Sequence, residues 1–208
     1  MGYRVHLPPV LSAQRPRVAL WLHGAGSAGA DLIEPLAPLL ARHGFALVVP
    51  QNKDVRGWTS KDIVELFGKV LPEAAQRYGL SAEQPLLIGY SAGAQMALHL
   101  WHPAPERWAG LVLVAGAPQL TTVDRVEDIV IEAAESWRYA GTPILALSGE
   151  RDPGASKWRS ALERWKRAGV PLDFRQVPNV DHQWCVGAFE RERLDRWLEG
   201  LAAPAVQR

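Results

Sequence analysis

The most informative segment of this chain is the pentapeptide Gly-Tyr-Ser-Ala-Gly at residues 89–93. An apolar run at 85–88, typical of a buried strand, precedes it, and a run typical of a helix follows at 94–100. Glycine is needed on both sides of the serine, because in so sharp a turn a Cβ at either position would collide with neighbouring chain. The segment therefore predicts a strand–turn–helix elbow that holds the Ser91 hydroxyl at its tip.

A second segment lies upstream, where the apolar run 17–22 predicts a buried parallel strand. The strand is followed by a glycine-rich loop at 23–29, in which backbone N–H groups can face a ligand without intervening side chains. In acyl transfer the developing oxyanion needs two such donors. We expect the N–H of Ala92 to be one donor and an N–H of this loop to be the other. Taken alone, the loop is equally compatible with an ordinary strand-to-helix turn.

Two further polar residues follow predicted strands in the second half of the chain. Asp152 follows the run 142–148, and His182 follows the run 172–177. Catalytic residues of α/β sheets gather in loops just past the strand ends. The three residues thus occur along the chain in the order Ser, Asp, His. This order distinguishes one well-known arrangement of the catalytic triad from the two others.

Other side chains compete for these roles. Asp181 adjoins His182, but an immediate neighbour in sequence rarely reaches the correct ring nitrogen, and Glu150 is a similar outsider. Cys185 is interpreted as a bystander, because the elbow already supplies a nucleophile. The ring of His23 is expected to support its own loop rather than to react.

The chain resembles the α/β-hydrolases, and among them the small, lidless carboxylesterase, phospholipase and acyl-protein thioesterase type. The resemblance covers about residues 17–198, and its marks are the segments 23–26, 89–93, 149–152 and 181–182. One departure is Ser27, where many carboxylesterases of this type carry Asp.

This resemblance implies a role for each of five residues. Ser91 would be the nucleophile, His182 the general base and Asp152 the acid that orients the histidine. The N–H of Ala25 would complete the oxyanion hole with that of Ala92. No metal or organic cofactor is required for such chemistry.

The implied activity is hydrolysis of carboxylic esters or thioesters through an acyl-enzyme on Ser91. A serine hydroxyl is a poor nucleophile and needs an adjacent base, which an imidazole provides near neutral pH. The same triad also serves peptidases, amidases and acyltransferases, and a non-catalytic binding domain of this fold is a further alternative. The pocket is expected to include Trp184, Trp58 and Tyr90.

Strands and helices alternate along the chain, which predicts one α/β domain over residues 1–208, with a mostly parallel sheet and helices on both faces. Only residues 116–141 separate the strand after the elbow helix from the next strand, which is too short for a large cap domain. The predicted strands are 3–7 (an edge strand), 17–22, 45–50, 85–88, 111–115, 142–148 and 172–177. The predicted helices are 31–43, 60–78, 94–100, 124–139, 156–168 and 186–198.

Composition narrows the possible partners. The chain has 23 Lys and Arg against 22 Asp and Glu, so its charges nearly cancel and nothing indicates a nucleic-acid partner. No apolar stretch is long enough to span a membrane, and the N-terminus has no apolar signal region. Cys185 is the only cysteine, so no internal disulfide forms and a cytoplasmic location is expected. His99 and His102 are interpreted as cations at a helix end rather than a zinc pair.

Overall fold

A computed structural model describes residues 1–9, 14–26, 29–51, 57–121 and 126–201. The strands among them are β1 (Gly2–His6), β2 (Arg17–Leu22), β3 (Phe45–Gln51), β4 (Ser81–Tyr90), β5 (Gly110–Val114), β6 (Gln119–Thr121), β7 (Val126–Asp128), β8 (Ile144–Gly149) and β9 (Leu172–Val177). The α-helices are α1 (Ala30–Ile33), α2 (Ala37–Arg42), α3 (Ser60–Glu65), α4 (Leu71–Tyr78), α5 (Ala92–Trp101), α6 (Ser136–Tyr139), α7 (Pro153–Arg167) and α8 (Ala188–Glu199).

Seven of these strands form the central sheet, in the order β1-β3-β2-β4-β5-β8-β9. The antiparallel edge strand β1 pairs with β3, and every other neighbouring pair is parallel. The prediction of a mostly parallel sheet is therefore confirmed. The predicted edge strand 3–7 is observed one residue earlier.

The sheet order places a crevice where the winding direction changes. β2 lies between β3 on one side and β4 on the other. The connection from β2 runs to β3 on one side, whereas the connection from β4 runs to β5 on the other, so the loops at the carboxyl ends of β2 and β4 diverge around an opening. These two loops are the glycine-rich loop and the serine elbow.

Apolar side chains fill both faces of the sheet. Alternate residues of β2 point to opposite sides, with Leu20 in one cluster and Trp21 in the other. Helices α4, α5 and α7 contribute to the first cluster, and α2 and α8 to the second. Helices therefore cover both faces, as predicted.

Two predicted helices are interrupted by local geometry. The helix predicted at 31–43 is split into α1, a 3-10 turn at Glu34–Leu36 and α2, with Pro35 and Pro38 each near the start of a new segment. The helix predicted at 60–78 consists of α3, a π-helical turn at Leu66–Val70 and α4.

The helix predicted at 124–139 is wrong over most of its length. Residues 124 and 125 lie outside the described residues, but β6 and β7 form an antiparallel pair, and only α6 and a 3-10 turn at Ala133–Glu135 are helical. Ile129 and Ile131 are buried and flank the exposed Val130, which is the alternation of an extended chain. The indole N–H of Trp165 also donates to the carbonyl oxygen of Ile129 (3.2 Å).

No cap domain is present among the described residues between β5 and β8, which agrees with the sequence. The hairpin and the short helical turns account for that interval. None of the helices described in the structure has the length and apolar character needed to cross a bilayer.

Candidate active site

Ser91 lies at a strained turn between β4 and α5. Its backbone has φ 50° and ψ −114°, outside the regions that non-glycine residues favour. The Ser91 N–H donates to the carbonyl oxygen of Val114 on β5 (2.9 Å), and its own carbonyl accepts the N–H of Gln95 (3.1 Å). Strain of this kind persists only where the surroundings hold the residue in place, and it is concentrated at functional sites.

The two glycines of the elbow permit close backbone contacts. A Cβ on Gly93 would lie 1.8 Å from the carbonyl oxygen of Leu22 in β2, and a Cβ on Gly89 would lie 2.5 Å from the carbonyl oxygen of Gly93. No side chain fits at either position without moving the backbone. This close approach is what seats the start of α5 against the end of β2.

The structure brings Ser91, His182 and Asp152 into one hydrogen-bonded chain. Ser91 Oγ lies 2.8 Å from His182 Nε2, and His182 Nδ1 lies 2.9 Å from Asp152 Oδ2. A carboxylate only accepts hydrogen bonds, so we assign the ring proton to Nδ1, which leaves Nε2 free to accept the serine proton. The histidine side chain is 48% exposed, whereas that of the aspartate is 2% exposed.

Asp152 is held by the start of α7. It is the N-cap residue of this 15-residue helix, and its Oδ1 accepts the N–H of Gly154 (2.7 Å). A Cβ on Gly154 would lie 2.5 Å from the carbonyl oxygen of Gly116, so α7 begins directly against the end of β5. One carboxylate oxygen thus caps the helix while the other faces the imidazole.

The histidine loop reaches this position because Gly149 has no side chain. A Cβ on Gly149 would lie 2.3 Å from the carbonyl oxygens of both Val180 and Asp181. The loop that carries His182 can therefore cross directly over the end of β8, next to Asp152.

The competing carboxylates have other partners. Asp181 binds the guanidinium of Arg151, with Arg151 Nε 2.8 Å from Asp181 Oδ1. Glu150 Oε2 accepts the backbone N–H of Asn179 (3.0 Å). Asp152 is the carboxylate that contacts the imidazole.

The glycine-rich loop lies beside the serine. A Cβ on Gly24 would lie 3.3 Å from Ser91 Cβ, so the residue that precedes Ala25 packs directly against the elbow. Neither the N–H of Ala25 nor that of Ala92 donates to another described residue. Both are thus available for a ligand. Ser27, the position that departs from the family pattern, lies outside the described residues.

His23 and Trp58 support this loop from below. The His23 side chain is fully buried, and its Nδ1 lies 2.7 Å from the carbonyl oxygen of Gly24. The indole N–H of Trp58 donates to the carbonyl oxygen of His23 (2.9 Å), and the two rings lie 4.8 Å apart. Trp58 therefore holds the loop in place.

Tyr90 and Trp184 form an aromatic wall next to His182. The Tyr90 ring stacks on the imidazole of His182, with 6.3 Å between the ring centroids. The Trp184 ring lies perpendicular to the Tyr90 ring, with 5.9 Å between their centroids. Trp184 also contacts the buried Trp21 edge-on at 5.4 Å. Burial raises the pKa of the Tyr90 hydroxyl, and the nearby Asp152 adds to this effect, so the hydroxyl is neutral at physiological pH.

Two other reactive side chains lie outside the hydrogen-bonded chain of Ser91, His182 and Asp152: Cys185, which is buried, and His102, which is partly buried. Burial raises the pKa of the Cys185 thiol to about 12. His102 Nδ1 and the Tyr139 hydroxyl share a hydrogen bond (2.9 Å), and burial lowers the pKa of His102. The interpretation of His102 as a cation is therefore wrong. Among the described residues, no group of three or more His, Cys, Asp or Glu side chains is arranged to hold a metal ion.

Sequence reasoning missed the supporting roles of Arg151 and Gly154. The role of Gly154 can be predicted from sequence, because an aspartate followed by a proline, here Asp152 and Pro153, is typical of the start of a helix. The aspartate side chain at such a start accepts the N–H of the second or third helical residue. The pairing of Arg151 with Asp181 has no local signal, since the two residues are 30 positions apart.

No protein-family model and no curated protein matches this chain. Several solved structures share its fold. An S-formylglutathione hydrolase from Agrobacterium tumefaciens is similar with a TM-score of 0.69 and 18% identity, over 96% of this chain and 90% of that one. A carboxylesterase from Mesorhizobium loti has a TM-score of 0.62 and 23% identity, over 95% and 94%. The fluorophosphonate-binding serine hydrolase F of Staphylococcus aureus has a TM-score of 0.67 and 15% identity, over 96% and 91%.

At these levels of identity the likeness establishes the fold. The chain has the α/β-hydrolase fold, as the elbow and the alternation of strands and helices predict.

Proposed function

We propose that this α/β-hydrolase-fold chain is a serine hydrolase that cleaves carboxylic esters or thioesters, with residues 1–208 acting as one domain. The observation that carries the proposal is the hydrogen-bonded series from Ser91 Oγ through His182 to Asp152, at 2.8 and 2.9 Å. The three side chains come from loops after β4, β9 and β8, and they meet at one edge of the sheet. Such a series is the arrangement that activates a serine hydroxyl for attack.

The first half of the reaction would form the acyl-enzyme. His182 Nε2 takes the proton of Ser91 Oγ as this oxygen attacks the carbonyl carbon of the substrate. The tetrahedral intermediate collapses when the carbon–oxygen or carbon–sulfur bond to the leaving group breaks. His182 then gives its proton to the departing alkoxide or thiolate, which leaves as an alcohol or thiol.

Water completes the cycle by the same route. His182 takes a proton from water, the hydroxide attacks the acyl carbonyl, and the proton returns to Ser91 Oγ as the carboxylic acid leaves. Asp152 remains ionised throughout and stabilises the imidazolium. Its carboxylate is suited to this role because Oδ1 is held by the Gly154 N–H while Oδ2 faces the imidazole.

The developing oxyanion would be bound by the N–H groups of Ala25 and Ala92. Both N–H groups lack an acceptor among the described residues. The Ala92 group is also the first N–H of α5, where the helix dipole favours negative charge. Loss of one such donor costs roughly 10²–10³ in kcat in serine hydrolases.

The shape of the site favours a substrate that is not enclosed. His182 is half exposed, and no cap domain stands between β5 and β8 in the described part of the chain. Trp184, Tyr90 and Trp58 offer an apolar lining for the acyl or leaving group. The single cysteine supports a reducing compartment such as the cytoplasm.

The deciding experiment is labelling with a fluorophosphonate probe, combined with hydrolysis of p-nitrophenyl esters. One of the similar structures is described as a fluorophosphonate-binding serine hydrolase, which supports this choice of probe. We expect wild type to be labelled and active, and Ser91→Ala to be neither. Ser160→Ala is the matched control, because its hydroxyl donates to the carbonyl oxygen of Ser156 within α7 (3.0 Å). Labelling of Ser91→Ala at the wild-type rate would overturn the assignment.

A further inference from the structure

The residues just before the triad acid and just before the triad histidine are bound to each other. Arg151 precedes Asp152, and Asp181 precedes His182. Arg151 Nε donates to Asp181 Oδ1 (2.8 Å), and Arg151 Nη2 donates to Asp181 Oδ2 (3.1 Å). This is the two-point geometry in which a guanidinium and a carboxylate fix each other's orientation.

The same guanidinium also holds the backbone of the histidine loop. Arg151 Nη2 donates to the carbonyl oxygen of Asn179 (2.7 Å), and the Arg151 backbone N–H donates to that of Val180 (2.9 Å). Asn179 is in the left-handed conformation, with φ 58°, where the chain turns away from β9. Arg151 therefore contacts three successive residues of the turn that leads to His182.

Glu150 adds a contact on the other side of the turn. Its backbone N–H donates to the carbonyl oxygen of Val177 (2.9 Å), and its carboxylate accepts the N–H of Asn179 (3.0 Å). The pair Glu150 and Arg151 thus fixes the path of residues 177–181 relative to Asp152. We name this set of contacts the histidine-loop clamp.

Packing alone does not hold the histidine, although the Tyr90 ring stacks on its imidazole. Its side chain is half exposed, and β9, from which its loop departs, is the edge strand of the sheet. An imidazole in that position depends on its loop to keep both nitrogens within hydrogen-bond distance of their partners. A displacement of about 1 Å of a catalytic group lowers rates by roughly 10²-fold.

We propose that Arg151 is a positioning residue of the reaction, and that its ion pair with Asp181 holds His182 between Asp152 and Ser91. The inference rests on the proposed function. Exposed ion pairs contribute little to the stability of a fold. The main consequence of losing this one is therefore slower chemistry, rather than unfolding.

The ionisation of the pair suits this role. The hydrogen bonds that Arg151 donates to Asp181 lower the pKa of the Asp181 carboxyl and raise the pKa of the Arg151 guanidinium. Both groups are therefore charged throughout the neutral range, in which a histidine base works. Among the described residues, the Glu150 carboxylate also acts on Arg151, and it accepts the Asn179 N–H.

The test measures kcat and KM for a p-nitrophenyl ester with Arg151→Ala, Asp181→Ala and the double variant. We expect each single variant to lower kcat about 10- to 100-fold with KM within about twofold of wild type, because positioning and not binding is lost. The double variant should be no slower than the slower single one, because both substitutions break the same contact. Arg151→Lys, which keeps the charge but not the two-point geometry, should recover part of kcat.

Arg196→Ala is the matched control, since this arginine also forms an exposed ion pair, with Glu192 (3.2 Å), but on α8. Equal kcat values for Arg151→Ala and Arg196→Ala would overturn the inference, as would a double variant whose loss is the product of the single losses. If a variant melts early, the rate of fluorophosphonate labelling per folded molecule below its melting range replaces kcat. Failure of the proposed function is distinguishable, because wild type itself would then be neither active nor labelled at Ser91.

Discussion

The backbone of Gly93 packs so closely against the carbonyl group of Leu22 that only a hydrogen atom fits between them. A Cβ there would lie 1.8 Å from the Leu22 carbonyl oxygen, which is far inside van der Waals contact. The contact joins the start of α5 to the end of β2, and both segments border the proposed oxyanion hole. The geometry of the site therefore requires a residue without a side chain at position 93.

Gly93→Ala is expected to destabilise the fold by about 3 kcal/mol or more, because the clash is with backbone, which relieves strain less readily than side chains do. Gly68→Ala is the control, since a Cβ at Gly68 meets nothing within 4 Å and its φ is ordinary. Urea denaturation of both variants measures the difference. Equal midpoints for the two would contradict the close contact.

Asp152→Asn is expected to lower kcat by about 10⁴-fold while the fold is retained. The amide oxygen can still cap the Gly154 N–H, but the charge that stabilises the imidazolium is gone. Asp152→Ala should lose about 1 kcal/mol of stability in addition, because the cap is lost as well. Steady-state kinetics and thermal unfolding separate the two effects. An Asn variant with near-normal kcat would remove Asp152 from the triad.

Trp184→Ala is expected to shift the preference among p-nitrophenyl esters towards longer acyl chains. The substitution removes the ring that meets both Trp21 and Tyr90 edge-on and opens space beside His182. Trp184→Phe, which keeps an aromatic edge, should change the preference less. The measurement is kcat/KM for a series from acetate to octanoate. An unchanged profile in the Ala variant would exclude this ring from the acyl pocket.

Cys185 is expected to resist thiol reagents in the folded protein. Its pKa is raised to about 12, so roughly one molecule in ten thousand carries the reactive thiolate at pH 8, and the side chain is buried. Reaction with a chromogenic disulfide should be slow in buffer and fast in denaturant. Cys185→Ser should also retain hydrolytic activity, whereas loss of activity on mild thiol modification would give the cysteine a part in the reaction.

Asp195→Asn is expected to lower the melting temperature slightly at pH 7 and to have no effect in strong acid. Hydrogen bonds from His43 (2.6 Å) and Arg42 (2.7 Å) lower the pKa of the Asp195 carboxyl below its usual value of 3.8. A carboxyl whose pKa is lower in the folded than in the unfolded protein stabilises the fold at pH values above its unfolded-state pKa. This stabilisation is lost as the pH falls through its folded-state pKa. Melting curves of both proteins between pH 7 and about pH 2 check the sign. A difference that grows on acidification would contradict it.

Local sequence was sufficient to predict the elbow, because the requirement for Gly89 and Gly93 arises within one turn. The positions of Asp152 and His182 followed from strand ends, since parallel strands bring their carboxyl ends to one edge of the sheet. The hairpin of β6 and β7 was missed, although Ile129 and Ile131 carry the two-residue period of an extended chain.

The histidine-loop clamp could not be predicted in the same way. Arg151 and Asp181 meet only because β8 and β9 are neighbours in register and Gly149 lets the loop cross the strand end. From sequence alone, Asp181 is a competing candidate for the triad acid. Its partner depends on tertiary geometry rather than on spacing along the chain.

The placement of the imidazole beyond β9 has a consequence for heat inactivation. β9 is an edge strand with half-buried residues, whereas its neighbour β8 is buried throughout. Peripheral strands detach before the centre of a sheet melts. Warming should therefore abolish hydrolytic activity at temperatures at which the circular dichroism spectrum still shows a folded interior. Prompt cooling should restore the activity.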